Sequence, residues 1–396
     1  MGIKSLKKIV YLAAFIRSTA IGFISIFLGF YLVEKGISPF WSGILIAAGL
    51  LGNALATSLI SFLGVRIGRK TLLLCFSFIS ALGGILFPFG TSFVFLSSIA
   101  FLGMLNGMGK DRSGVRAIDQ TLLADAVLPE NRTMTYAHYN MLMDSGLILG
   151  AGLAGIPELL TFYHGSLSFG IYGALFAFSG ILYGFASIPE RGKKERKKLE
   201  VRAETKRKIR KLSMIFSLDS LGGGFLTVSL VSYWFFSRFH QPVETVAALF
   251  FAARILNLIS NYGAVWISKK IGLVKTMVFT HLPASICLIL AAFSPYFWLA
   301  ALFFLIRETF IQMDVPTRES YTMAIVEPHE RTYASGMTNA VRNFGWTIPP
   351  ILAGEGMTLF FQGFPLVAGS SLKIIYDLLL YVQFRHVKPP EEASKK

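Results

Sequence analysis

PENRTMTYAHYNMLMDSGLILGAGLAG, residues 129–155, occurs a second time in this chain in altered form. The second copy is PHERTYASGMTNAVRNFGWTIPPILAG, residues 328–354, displaced by 199 positions. The segment RSTAIGFISIFLGFYL (17–32) likewise matches DSLGGGFLTVSLVSYW (219–234), displaced by 202 positions. A long internal repeat of this kind indicates that the chain is built from two similar halves.

The composition places both halves in a membrane. Of the 396 residues, 54% are hydrophobic and only 15% are charged, and mean hydropathy is +0.59. Soluble domains carry about 25% charged residues. Apolar runs of about 20 residues recur throughout, which is the length of a membrane-spanning helix and excludes the alternating strands of a barrel. We predict an all-α membrane protein with twelve transmembrane helices, near 9–33, 40–63, 71–90, 93–127, 134–157, 166–188, 212–236, 243–267, 273–293, 296–326, 333–354 and 361–383.

The distribution of positive charge predicts the orientation. Lys and Arg cluster before the first helix, after the second, after the eighth and after the last, whereas the connections on the opposite side are nearly free of them. By the positive-inside rule both termini are cytoplasmic. We expect a multi-pass protein of the cell membrane with an N-terminal six-helix bundle (1–189), a basic cytoplasmic linker (190–211) and a C-terminal six-helix bundle with a short tail (212–396). The halves share one orientation and are therefore parallel repeats.

The net charge of +16 does not indicate a nucleic-acid partner. Much of it lies in the linker, PERGKKERKKLEVRAETKRKIRK (189–211), which lacks the interleaved aromatic residues of a nucleic-acid surface. A basic amphipathic segment of this type suits anionic headgroups. The expected macromolecular environment is the lipid bilayer.

The loop after the second helix resembles a known family signature. SFLGVRIGRKTLLL (61–74) is similar to the cytoplasmic loop of the major facilitator superfamily, with Ser61 in place of its first Gly and Val65 in place of its Asp. MDVPTRESYTMAIVEPHERTYASGMTNAVRN (313–343) resembles the tenth-to-eleventh helix region of a prokaryotic subgroup. The resemblance implies two bundles that rock around a central site. The missing loop acid puts that family's latch between the halves in doubt. The matching loop residues are Arg66, Gly68, Arg69 and Lys70.

Charged residues inside predicted helices are functional candidates because they cost several kcal/mol in lipid. Arg17 and Asp219 occupy equivalent positions of the repeat. One hypothesis has them facing each other across a central cavity, as a gate or coupling pair. The alternative has each side chain reaching the inner headgroups.

Further candidates lie deeper in the predicted helices. Asp144 and Arg254 are predicted to pair, although Asp144 could instead be a protonation site. Arg342 is expected either to hydrogen-bond Asn53 or to face the cavity. Asn140 and Asn339 occupy equivalent positions of the repeat, and we expect them to form hydrogen bonds between helices.

A charged stretch, GMGKDRSGVRAIDQ (107–120), interrupts the fourth predicted helix. Equivalent residues of the two halves are 204 positions apart before this stretch and 199 positions apart after it. The first half therefore carries about five more residues here than the second. We predict a glycine-hinged break with Ser113 capping the inner continuation. Lys110, Arg112 and Arg116 would then crowd a helix N-terminus and form an anion-binding or gating site. The alternative is a solvated helix end with local salt bridges such as Arg116–Asp119.

A cytoplasmic gate is expected around these charges. Asp125 is placed to pair with Arg66 or Arg69 and so to replace the missing loop acid. The predicted gate comprises Arg66, Arg69, Lys70, Lys110, Arg112, Arg116, Asp119, Asp125, Asp314 and Arg318.

Three glycines in the fifth helix resemble the antiporter motif of the superfamily. Gly146, Gly150 and Gly155 fit its spacing, but Ala151 replaces the proline. The resemblance implies export, whereas small residues at this spacing also allow close helix packing.

No catalytic constellation, metal-ligand spacing or cofactor motif is found, so the protein is not expected to be an enzyme. We predict a monomeric secondary transporter for a small-molecule substrate, working by alternating access and coupled to protons. Export of an organic or drug-like compound is the first hypothesis. The others are uptake or exchange of an anionic metabolite and, from another class, a non-transporting membrane sensor or scaffold.

Overall fold

The apolar sequence folds almost entirely into α-helix in a computed structural model, because helices bond their own backbone groups where water is absent. The structure describes residues 3–128, 132–156, 165–188, 202–324, 326–327 and 330–384. The N-terminal half forms α1 Ile3–Glu34, α2 Pro39–Ile67, α3 Arg69–Leu86, α4 Phe93–Leu102, α5 Gly114–Asp125, α6 Arg132–Leu153 and α7 Ser166–Phe185.

The C-terminal half repeats this arrangement with more interruptions. Its described residues form α8 Ala203–Phe225, α9 Val228–Phe239, α10 Val243–Ile271, α11 Leu273–Phe293, α12 Phe297–Ile311, α13 Asp314–Ala324, α14 Arg331–Gly345, α15 Pro349–Leu359 and α16 Phe364–Phe384.

By length and composition, the described residues contain eight segments able to cross a membrane. The remaining four of the twelve predicted helices do not reach that length and hydropathy together, because three are divided and α6 is more polar. The number twelve therefore stays a prediction. The eight segments are Ser5–Glu34, Pro39–Ile60, Arg69–Phe89, Ser166–Phe185, Ala203–Phe239, Val243–Ser260, Leu273–Phe293 and Phe364–Phe384.

The predicted break in the fourth helix is confirmed. Helix α4 ends at Leu102 and α5 begins at Gly114, and the Ser113 side chain accepts a hydrogen bond from the backbone N–H of Arg116 at 3.4 Å. Gly109 has a φ of 72°, a conformation that favours glycine. The carboxylate of Asp111 also accepts from the N–H of Ser113, at 2.9 Å. The first part of the charged stretch, residues 107–113, thus belongs to the connection between two helices, and the rest begins α5.

A second break, between α8 and α9, was not predicted. The Thr227 hydroxyl caps α9 by accepting from the N–H of Leu230 at 3.4 Å. The chain divides here between two compact units, one formed by Met1–Glu195 with Thr227–Phe251 and the other by Arg196–Leu226 with Ala252–Lys396.

Close helix packing in the first unit depends on small residues. A Cβ added to Gly150 would lie 2.1 Å from the carbonyl oxygen of Thr19 and 2.6 Å from the backbone nitrogen of Phe23. One added to Gly146 would lie 2.4 Å from the carbonyl oxygen of Phe15. These glycines let the backbones of α1 and α6 meet, which is the packing role considered for the motif.

Gly150→Ala is expected to destabilise the protein by about 1–3 kcal/mol, since two backbones would have to separate. The matched control is Gly170→Ala in α7, where an added Cβ meets no atom within 4 Å. Thermal unfolding in detergent would measure both. Equal midpoints for the two variants would contradict the packing role of Gly150.

Helix α9 completes the first unit by packing along α1. The Ser229 hydroxyl donates to the carbonyl of Ser25 at 2.7 Å, and the Tyr233 hydroxyl donates to the carbonyl of Ile37 at 3.0 Å. The contact between α1 and α9 requires a residue without a side chain at position 29, because a Cβ added to Gly29 would lie 2.2 Å from Ser232 Oγ.

In the second unit, a buried glutamate fixes the start of α8. Glu330 accepts from the backbone N–H of Arg202 at 2.8 Å and from the Thr205 hydroxyl at 2.6 Å. A carboxylate in this position satisfies donors that a helix N-terminus leaves open. Residues 203–211 of the predicted linker therefore belong to α8, whereas residues 189–201 lie outside the described residues.

Candidate functional site

A buried ionic cluster in the first unit centres on Arg17. Its Nε lies 2.6 Å from Asp111 Oδ2 and its Nη2 lies 2.9 Å from Asp119 Oδ2, and all three side chains are 0% exposed. We call Arg17, Asp111 and Asp119 with Tyr139 and Tyr183 the Arg17 cluster.

The two tyrosines complete the hydrogen bonding of this cluster. Tyr183 Oη accepts from Arg17 Nη1 at 2.8 Å and donates to Asp119, 2.8 Å from Oδ1. Tyr139 Oη donates to Asp119 Oδ2 at 3.0 Å. Buried charges are tolerated when they are paired and hydrogen-bonded in this manner. The cluster joins α1, the α4–α5 connection, α5, α6 and α7.

A corresponding cluster in the second unit centres on Asp219. Lys373 Nζ lies 2.6 Å from its Oδ1, Arg318 Nη1 lies 3.1 Å from its Oδ2, and Arg342 Nη2 lies 3.7 Å from the same oxygen. Arg318 also pairs with Asp314 one helical turn away.

His281 extends this cluster toward α16. Its Nδ1 lies 3.0 Å from both carboxylate oxygens of Asp377, and its Nε2 lies 3.4 Å from Lys373 Nζ. We call these seven residues the Asp219 cluster: Asp219, His281, Asp314, Arg318, Arg342, Lys373 and Asp377.

The two clusters occupy equivalent positions of the repeat with the signs of charge reversed. Arg17 aligns with Asp219 at an offset of 202, and Asp119 aligns with Arg318 at an offset of 199. The first half therefore pairs Arg17 with Asp119 where the second half pairs Asp219 with Arg318. In each half one ion pair ties the repeat's first helix to its fourth.

The hypothesis that Arg17 and Asp219 pair with each other requires correction. Each has acidic or basic partners within its own unit, and these partners satisfy its charge. The alternative of side chains reaching the headgroups is also wrong, since both side chains are buried. The prediction compared equivalent positions across the halves, whereas the opposite charges lie in helices of the same half.

Two further predicted contacts are replaced by others. Asn53 Nδ2 donates to the carbonyls of Gly49 and Met104, at 3.1 and 2.7 Å, while Arg342 faces Asp219. Arg116 does not form the suggested salt bridge with Asp119. Its guanidinium instead donates to the backbone carbonyl of Asp111 at 2.8 Å.

The predicted pairing of Asp125 is confirmed for one of its two candidates. Arg69 Nη1 lies 2.8 Å from Asp125 Oδ2, with both side chains partly exposed. Neighbouring Lys70 donates to the carbonyls of Gly184 and Ala186, at 2.7 and 3.1 Å. The side chain of Arg66 lies outside the described residues.

The remaining candidates are the two asparagines of the repeat and three charged residues. Asn140 is exposed and its Oδ1 accepts from Arg116 at 3.4 Å, and Asn339 is exposed as well. The interactions proposed for Asp144, Lys110 and Arg112 stay predictions.

A third buried polar group was missed in the sequence. Asn257 Nδ2 donates to Glu308 Oε2 at 2.6 Å, and Arg307 pairs with the other carboxylate oxygen. Glu308 lies within an apolar helix, α12, which is the signal that could have identified it. Lys373 and Asp377 could have been found by the same rule, while nothing in the sequence marks Tyr139 or Tyr183.

Comparison with known proteins agrees with this architecture. The chain is 23% identical over 419 residues to an uncharacterized membrane protein of Saccharomyces cerevisiae, covering 95% of this chain and 93% of the relative. Among solved structures, nucleoside transporter NupG superposes with a TM-score of 0.76 at 13% identity, covering 96% of this chain and 99% of that one.

Two other transporter structures share the fold. A bacterial homolog of the human lysosomal transporter Spinster, in an inward-facing and occupied conformation, has a TM-score of 0.72 at 16% identity, covering 97% of this chain and 96% of that one. A D-xylose-proton symporter has a TM-score of 0.73 at 15% identity, covering 96% and 98%. At these identities the likeness concerns the fold alone.

The family model of the Major Facilitator Superfamily matches residues 10–350, which include all of the Arg17 cluster and most of the Asp219 cluster. The chain belongs to the major facilitator superfamily.

Proposed function

We propose that this protein is a monomeric, proton-coupled secondary transporter that moves a small organic solute across the cell membrane by alternating access. One observation carries the proposal: the apolar helices of each half enclose ionisable side chains, Arg17 with Asp119 in one and Asp219 with Arg318 in the other. Ionisable residues at such positions typically mark substrate or ion pathways. The likeness to a nucleoside transporter and a D-xylose-proton symporter supports transport as the class of function.

The proposed conformational change uses the breaks in the helices. The α8–α9 break lies where the chain passes from one compact unit to the other. We propose that α9 moves along α1 about this break. The hydroxyl-to-carbonyl contacts of Ser229 and Tyr233 with α1 lie on the surface along which α9 would move.

Export is the first candidate direction, supported by the partial antiporter motif at Gly146, Gly150 and Gly155. Assignment to the prokaryotic subgroup with a DVPTRxSY-type tenth helix is part of the same proposal. Uptake or exchange of an anionic metabolite is the second candidate. It is favoured by Arg307, which lies beside Glu308 and close enough to Arg254 for the two positive charges to interact.

Purified protein in proteoliposomes with an imposed pH gradient would test these alternatives over cationic, neutral and anionic solutes. Antiport predicts solute accumulation against the direction of proton flow, and symport predicts accumulation along it. Anion exchange predicts dependence on an anion on the opposite side and little dependence on pH. A scaffold or sensor predicts no flux of any solute, which would overturn the proposal.

A further inference from the structure

The α4–α5 connection, residues 103–113, is bonded to the start of α9. Ser229, the second residue of α9, donates its backbone N–H to the carbonyl oxygen of Gly107 at 3.0 Å. The first N–H groups of a helix have no partner within the helix, and this bond satisfies one of them at a buried position. A backbone hydrogen bond therefore joins the break in the fourth predicted helix to the break in the seventh.

Helix α1 holds Ser229 from a second direction. The Ser229 hydroxyl donates to the carbonyl of Ser25 at 2.7 Å, and Ser25 is buried as well. A glycine at position 107 allows this approach, because a Cβ added there would lie 3.0 Å from Ser229 Oγ and 3.1 Å from Ile46 Cγ2. The start of α9 is thus in contact with α1 and with the α4–α5 connection at one residue.

Asparagine side chains fix the connection in a non-helical shape. Met104 has a φ of 52°, which is uncommon for a residue with a side chain, and its carbonyl accepts from Asn53 Nδ2 at 2.7 Å. Asn106 accepts from the N–H of Met108 at 3.0 Å and donates to the carbonyl of Lys110 at 2.9 Å. Irregular backbone at membrane depth requires partners of this kind. The connection therefore has a defined shape that can transmit a displacement.

The other end of the connection is tied to α1 by the Arg17 cluster. Asp111 Oδ2 lies 2.6 Å from Arg17 Nε, and Asp111 Oδ1 accepts from the N–H of Ser113 at 2.9 Å. Arg17 precedes Ser25 by about two turns of the same helix. Helix α1 thus holds the connection through an ion pair, and the connection holds α9 through the carbonyl of Gly107.

The length of the connection distinguishes the two halves. Residues 103–113 separate α4 from α5, whereas only residues 312–313 separate α12 from α13, their equivalents in the second half. The additional residues of the charged stretch lie where the connection reaches α9. They therefore supply a contact for which the second half has no room.

We propose that the α4–α5 connection holds α9 against α1 while Asp111 pairs with Arg17, and releases α9 when that pair breaks. One backbone hydrogen bond is weak by itself, so the hold depends on the ion pair that positions its acceptor. The state of the Arg17 cluster thereby controls the mobility of α9. The proposal rests on the proposed function only for the claim that movement of α9 is a step of transport.

A thiol at position 229 measures the release without requiring transport. Ser229→Cys in a full-length protein without the two native cysteines is buried while α9 is held, so its reaction with N-ethylmaleimide reports the released fraction. Asp111→Asn is expected to speed this reaction at least about tenfold, because a charge-assisted bond to Arg17 becomes a neutral one. Asp119→Asn removes the other carboxylate of Arg17, which lies in α5 and outside the connection, and should have a smaller effect.

The matched reporter for general loosening is Ser77→Cys in α3, where Ser77 is also buried. Its rate should be the same with and without Asp111→Asn. An equal increase at positions 77 and 229 would overturn the proposal, since the release would not be local to α9. Equal rates at position 229 in Asp111→Asn and Asp119→Asn would also overturn it.

A disulfide tests the contact itself. A Cβ at Gly107 would lie 3.3 Å from Ser229 Cβ, close to the separation that a disulfide spans. Gly107→Cys with Ser229→Cys is therefore expected to cross-link on oxidation, as is the control pair Gly180→Cys with Ser77→Cys, which joins α7 to α3 at 3.1 Å. Formation of the control disulfide alone would overturn the proposal.

The cross-linked proteins also separate the failure of this proposal from the failure of the transport function. In proteoliposomes with the cationic, neutral and anionic solutes, the disulfide between positions 107 and 229 should stop flux until it is reduced, while the control disulfide should not. Flux that continues through the first disulfide would retain transport and reject the release of α9. The expected maleimide rates without flux of any solute would retain the release and reject transport.

Discussion

Arg17→Gln is expected to lower the free energy of unfolding by about 3–5 kcal/mol, as found when one partner of a buried ion pair is removed. The substitution leaves Asp111 and Asp119 without their guanidinium, and both side chains are 0% exposed. Water cannot replace the lost partner at this depth. Thermal and denaturant unfolding of the purified protein in detergent would measure the loss.

The pairing with Asp119 can be isolated by a double-mutant cycle. Asp119→Asn alone should also destabilise the protein. Arg17→Gln combined with Asp119→Asn should cost less than the sum of the single losses, because only Asp111 is then left without its guanidinium, whereas Arg17→Gln alone leaves both Asp111 and Asp119 without it. A suitable control is Asp125→Asn, whose partner Arg69 forms a partly exposed pair worth about 1 kcal/mol or less. Additive losses for Arg17 and Asp119 would contradict the paired arrangement.

The fold could be predicted largely from the sequence because membrane helices and repeats leave strong patterns. Long apolar runs gave the helix positions, and the charged stretch at 107–120 correctly indicated a capped break. The break at Leu226 was missed, because residues 212–236 form one long, mostly apolar run and a threonine cap is a weak signal in such a run. Hydropathy measures the partition of a segment into lipid and carries little information about the continuity of its helix.

Most charged residues of the two clusters were identified from the sequence, but the partners of those residues were not. Arg17, Asp219, Asp119, Asp314, Arg318 and Arg342 were all identified as candidates, because ionisable residues are conspicuous in apolar helices. Their partners depend on which helices are neighbours, and a sequence repeat shows only which positions are equivalent. A more informative use of the repeat compares both members of an ion pair. Arg17 and Asp219 carry opposite charges at equivalent positions, and so do their partners Asp119 and Arg318. Such paired reversal indicates contacts within each half.

Asp219→Asn is expected to lower the free energy of unfolding by as much as Arg17→Gln does. Here a buried anion is removed, whereas Arg17→Gln removes a buried cation. Asp219 is the carboxylate that Lys373, Arg318 and Arg342 share, with nitrogen-to-oxygen distances of 2.6, 3.1 and 3.7 Å. Its replacement by a neutral side chain takes this carboxylate from Lys373 and Arg342 and leaves Arg318 with Asp314. We expect a loss of about 3–5 kcal/mol in unfolding free energy and, in proteoliposomes, loss of solute flux.

Asp377→Asn is the matched control within the same cluster. Asp377 is equally buried, but its hydrogen-bond partner among the described residues is His281, which can be neutral. Loss of this carboxylate therefore strands no obligatory cation and should cost less. Lys373→Gln combined with Asp219→Asn should recover part of the stability, because it removes one of the uncompensated positive charges together with the carboxylate. Two results would contradict this assignment: a larger loss of stability in Asp377→Asn than in Asp219→Asn, or a further loss when Lys373→Gln is added to Asp219→Asn. Either result would mean that Asp219 is not the group that balances these cations. The correspondence with Arg17 would then concern sequence position only and not stability.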